Sequence, residues 1–223
     1  MALPAIEMSE ALLNAFYKST NNEAPAGLNE QVETVMTSDD TFIQKVKGLD
    51  SITESFKIPN DVGELLFDVL LYNFFSEDSQ RLGETFFEGE EWEQIEAAII
   101  DRGSELMNIL LYLQECQDSE INYSLDDYLD EYLVAEDDFD SEEHEVYEAI
   151  LKNRDAIEEG DLQTMVEISQ NNSDSALDDQ LLPLLLFFKT EDSLDKKYEI
   201  IKSSGTNPGF QGAFLAALSH FKI

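Results

Sequence analysis

Carboxylates are the residues of this chain best able to act on another molecule, and they are densest between Ser124 and Glu148. Asp126, Asp127, Asp130 and Glu131 are followed there by Glu136, Asp137, Asp138 and Asp140, with no Lys or Arg between Arg102 and Lys152. Like charges at helical spacing repel by about 0.2–0.5 kcal/mol per pair, so the segment carries a stability cost with no local relief. A charged helix face is ordinarily a solvated one. Beyond that, such a run can coordinate a divalent ion or steer a cationic partner.

The spacing excludes an EF-hand type of calcium loop. Asp118-Ser119-Glu120-Ile121-Asn122 and Asp138-Phe139-Asp140-Ser141-Glu142 alternate oxygen ligands. Yet Tyr123 and Glu143 stand at the sixth position, where Gly makes the turn, and Leu129 and Ala149 at the twelfth, where Glu closes the cage. His144 and His220 lie far apart, and neither belongs to an H-E-x-x-H or Glu-x-x-His arrangement. Cys116 is the only cysteine, which rules out a disulfide within the chain and a multi-thiolate zinc site. Gly205-Thr206-Asn207-Pro208-Gly209 lacks the lysine and spacing of a phosphate loop, and no Gly-x-Ser-x-Gly elbow occurs. The expectation is a protein with no catalytic residues, no cofactor and no metal.

Recognition of a cation remains. With 49 acids against 13 bases, a net charge of -36 argues against direct contact with nucleic acid phosphates or an anionic membrane. The expected partner is a basic protein such as a toxin, a nuclease or a nucleic-acid-binding protein. Masking of it would follow the manner of an immunity protein, an antitoxin or a nucleic-acid mimic. Occlusion is favoured over mimicry because the acids gather in one segment rather than along a phosphate-like track. The carboxylates of Asp126, Asp127, Asp130, Glu131, Glu136, Asp137, Asp138 and Asp140 would steer, while Tyr123 and Phe139 would supply desolvated anchors. The alternative is a helical, repeat-like adaptor that holds a peptide in an apolar groove. Salt adaptation also gives acidic surfaces, but the many Phe, Ile and Asn residues speak against it.

These residues are positioned by helices. After a Ser124 cap, Leu125, Tyr128, Leu129, Tyr132 and Leu133 recur at helical spacing, with Asp127 completing the spacing of a capping box. Tyr128 and Tyr132 belong to a core on this pattern. Asp61 to Phe75 is apolar nearly all round, which places it at the centre of the domain, and Leu177 to Phe188 forms a second buried centre in which Pro183 forces a kink or restart. Ser38 caps a helix that stops at Gly48, Ser141 opens one that runs to Gly160, and Leu194, Tyr198 and Ile201 line another that stops near Gly205. Phe210, Phe214, Leu218 and Phe221 give the last helix an inward face. No sustained alternation suits a strand.

The fold class expected is therefore all-α: a compact multi-helix domain of about ten short helices, with stacked helix-turn-helix pairs as one arrangement. An N-terminal half, 1–117, and an acidic and C-terminal half, 118–223, are expected to pack as one domain. At 43% hydrophobic and 10% aromatic the chain can bury a core despite its charge. The N-terminus lacks the basic start and apolar run of a signal peptide, and the longest apolar runs are too short or interrupted to span a bilayer. A cytoplasmic location is the simplest expectation.

Overall fold

The computed structural model describes residues 4–78, 84–102, 105–132, 148–171 and 177–221. Among them every regular element is helical, and the chain is an all-α multi-helix domain.

Helix α1 (Pro4–Ser19) starts on proline, whose missing N–H is harmless in a first turn. Helix α2 (Leu28–Thr37) buries Leu28, Val32 and Met36. Helix α3 (Phe42–Phe56) is capped by Thr41, not by Ser38: the Gln44 N–H donates to Thr41 Oγ1 at 3.4 Å and the Thr41 N–H donates to Gln44 Oε1 at 2.9 Å. Ser38 instead ends α2, where its hydroxyl donates to the Val35 carbonyl. Nor does Gly48 stop the helix: α3 runs through it, and a Cβ there would stand 3.1 Å from the Val35 methyls. The glycine is a point of close approach between α2 and α3.

Helix α4 (Asn60–Asn73) is buried from Val62 to Asn73 apart from Glu64, as its apolar run requires. It also carries Asp68, whose side chain is fully buried and which the apolar pattern concealed. A π-turn (Phe74–Asp78) and a 3-10 turn (Glu84–Glu88) lead to α5 (Glu90–Arg102) and α6 (Glu105–Asp118). Arg102 ties α5 to its neighbours: its guanidinium meets Glu64 at 2.8 Å and Asp50 at 3.0 Å and lies 4.7 Å from the centroid of the Phe67 ring.

Helix α7 (Leu125–Tyr132) follows. The single helix expected to run to Gly160 is interrupted at Asn153. Its side chain donates to the Ala149 carbonyl at 2.8 Å, the acceptor its own N–H would take in a helix, and that N–H turns to Ile150 instead. Helix α8 (Arg154–Glu158) then ends at Gly160, whose φ of 75° is the left-handed turn that glycine makes without strain. Helix α9 (Leu162–Asn171) is started by Asp161, whose carboxylate accepts from the Gln163 N–H and the Thr164 hydroxyl.

Helix α10 (Asp178–Lys189) continues through Pro183, so of the kink or restart expected there the restart does not occur. Its C-terminal end is held by Lys197 of α11 (Leu194–Ser204), a buried lysine whose ammonium donates to the carbonyls of Leu186 at 2.6 Å and Thr190 at 2.9 Å. Leu194 is 39% exposed and does not join the inward face of α11.

Helix α12 (Pro208–Leu218) departs most from its expected amphipathic form: every residue from Gly209 to Leu218 is buried. It packs on α1, α10, α4, α11 and α6, and among the described residues its pairing with α1 is the most extensive. Small residues permit this. A Cβ at Gly212 would fall 2.2 Å from Ser19 Oγ, and one at Gly209 would fall 2.9 Å from the Phe16 ring. The first and last long helices thus form the central pair, with α4 and α10 beside α12.

Candidate functional site

Helix α7 shows how the sequence places its acids. Leu125, Tyr128 and Leu129 are buried, and between them Asp126 is half-buried and Asp127 faces solvent. The Asp127 N–H donates to Ser124 Oγ at 3.0 Å, which is one arm of the expected capping box. The other arm is supplied differently. Tyr112 Oη accepts from the Ser124 N–H at 3.0 Å and donates to the Ser124 carbonyl at 3.1 Å, and burial raises the phenol's pKa. Tyr128 is a core residue, as expected, and its hydroxyl donates to Glu105 at 2.8 Å.

The carboxylates of α7 differ from one another. Asp127 is exposed. Asp126, expected among the unpaired acids, is held by Arg154 of α8, a base 28 residues further along the chain. Asp130 and Glu131 continue the helix backbone. Glu136, Asp137, Asp138, Phe139 and Asp140 lie outside the described residues.

Tyr123 sits just before α7, where the chain turns from α6. Its ring is half-buried, stacked on Phe187 with centroids 5.5 Å apart and set edge-on to Phe188 at 5.9 Å. Burial pushes its pKa upward. It lines a cleft of about 500 Å³ with Leu113, Cys116, Ile121 and Phe221, whose polar margin is Gln117, Glu120 and Asn122. Ile121 is 62% exposed, an apolar side chain held in water at the mouth. Glu120 takes a left-handed conformation, φ 55°, that turns the chain at the end of α6. The anchor chosen from sequence is therefore one wall of a concavity whose other walls were missed. Ile121 could have been noticed, because it is the one apolar residue in the polar run Gln117 to Asn122.

Negative charge is not confined to α7. Exposed acids also come from α1 (Glu7, Glu10), α2 (Glu30, Glu33), α5 (Glu90, Glu91, Glu93, Glu96) and α9 (Glu167). Many of the bases are already engaged. Lys18 meets Asp195 at 2.6 Å, Lys152 meets Glu148 at 2.5 Å, Lys196 meets Asp192 at 2.7 Å, and Lys189 pairs with Glu158. Lys45 donates to the Met36 carbonyl at 3.1 Å. Beside the acids of α5 lies a ring cluster in which Phe87, 41% exposed, contacts Trp92 at 5.0 Å.

Among the described residues no three His, Cys, Asp or Glu side chains converge as metal ligands. No helix among them is long and apolar enough to cross a membrane. Among the described residues, fold and site define an all-helical domain with an acid-rich surface and a mixed cleft at Tyr123. No family model matches the sequence, and no curated protein or solved structure matches the chain.

Proposed function

We propose that this chain is a noncatalytic binding protein that covers a basic protein partner, in the manner of an immunity protein, an antitoxin or a nucleic-acid mimic. One observation carries the reading: exposed carboxylates rise from α1, α2, α5, α7 and α9, while many of the bases are already engaged in ion pairs or helix-end contacts. A surface with that surplus attracts cationic molecules and repels phosphates.

The test is recovery of partners from the native cell on the immobilised chain at low salt, followed by salt elution. A basic protein whose own nucleic-acid binding or toxicity is suppressed by the chain supports masking. Recovery of neutral proteins insensitive to salt contradicts it.

The cleft at Tyr123 favours a second reading, a helical adaptor holding a peptide. That reading requires the peptide to compete for the cleft and to tolerate neutralisation of the α7 acids.

A further inference from the structure

The cleft beneath Tyr123 combines an apolar floor with a charged margin. Its volume of about 500 Å³ falls within the range of small-ligand and side-chain sites. Two ring residues, Tyr123 and Phe221, form walls, and Leu113 and Cys116 contribute apolar surface. Tyr123 is fixed by its stack on Phe187, and Phe221 by an edge-on contact with Tyr72 at 5.9 Å. Such walls are set before a ligand arrives, so little ordering opposes binding.

The margin decides the ligand's charge. Glu120 lines the mouth, Glu115 and Asp118 are exposed on the last turns of α6, and no Lys or Arg is among the described lining residues. We infer that the cleft is a binding site for an aromatic group bearing a cation close to its ring, presented by a basic partner as a Trp, Tyr or Phe beside Lys or Arg. Fixed ring walls favour an aromatic occupant through offset and edge-on contacts, and the carboxylate at the mouth selects the cation. Exposed Ile121 would be covered when the ring enters, which gives its position in water a use. The inference rests on the masking reading for the ligand's source, but the chemistry of the cleft can be tested without a partner.

The probes are tryptamine, which joins an indole to an ammonium, and indole-3-acetate, which carries a carboxylate instead. Titrated into the full chain and followed by amide NMR, tryptamine is expected to give saturable shifts at Cys116, Ile121 and Tyr123, and indole-3-acetate none. Glu120→Gln should weaken tryptamine about two- to fivefold, the scale of one exposed ion pair. Ile121→Ser should weaken it as well, and both side chains are exposed, so neither change disturbs the core. Absence of saturable shifts at these amides, equal binding of the two indoles, or indifference to Glu120→Gln would each overturn the inference. A basic partner that binds while the cleft ignores tryptamine leaves masking intact and removes this site. Saturable tryptamine binding with no basic partner recovered keeps the chemistry of the cleft and removes masking.

Discussion

Single residues decide the close contacts between helices here, and two glycines of α12 show it. Alanine has the better helix propensity by about 1 kcal/mol per site. At Gly209 and Gly212, however, its methyl would press on the Phe16 ring and on Ser19 Oγ. Overpacking of this kind costs about 1–3 kcal/mol. We expect the double change Gly209→Ala and Gly212→Ala to lower stability in urea denaturation despite the propensity gain. A more stable double variant would show that α1 and α12 are not in close contact. Tyrosines supply a second prediction. Burial pushes Tyr198 up to about 12 and raises Tyr17, Tyr112 and Tyr123 above the ordinary value of 10.0. Each raised phenol favours the protonated folded state, so its contribution is complete below pH 10 and is lost as pH climbs toward 12. Absorbance titration should show a late group of phenols ionising together with unfolding. A single step near pH 10 in the folded protein would contradict this.

At the scale of elements, legibility in the sequence followed the kind of force involved. Burial was readable: the apolar stripes of α4 and α10, and Leu125, Tyr128 and Leu129 of α7, lie where their periodicity puts them. Caps and stops were read less well, because several residues compete for each helix end and local side-chain hydrogen bonds choose among them. Thr41 prevailed over Ser38 through its pairing with Gln44, and Asn153 broke a helix by turning its amide to Ala149. Helix α12 buries Phe210, Phe214 and Leu218 as its pattern requires, and the burial of its remaining face follows from the glycines and alanines that let α1 lie against it. The candidate site was half legible. Tyr123 stood out as an aromatic beside acids, whereas Phe221, nearly a hundred residues away, and the Arg154 partner of Asp126 are brought in by the fold alone. For α7, Ser124→Ala should cost about 1 kcal/mol through loss of its cap. Arg154→Ala should cost less than about 1 kcal/mol, because the pair is solvent-exposed. Thermal unfolding of the two variants checks the order. The reverse order would mean that the ion pair, not the cap, secures the acidic helix.

For the whole molecule, the balance of charge dominates. A net charge of -36 on 223 residues repels itself in the folded state, and salt relieves it. The screening length falls from about 30 Å at 0.01 M to about 8 Å at 0.15 M ionic strength. The midpoint of thermal unfolding should therefore rise across that range in sodium chloride. An unchanged or falling midpoint would mean that the carboxylates are already neutralised within the fold. A basic partner would relieve the same repulsion, which links the surface's cost to its proposed use. The most direct measurement of that use is the association rate of a recovered basic partner as ionic strength is raised, for the native chain and for one carrying Asp126→Asn and Asp127→Asn. The account predicts a steep fall with salt for the native chain and a slower, less salt-sensitive association for the variant. Equal rates at low and high ionic strength would contradict it.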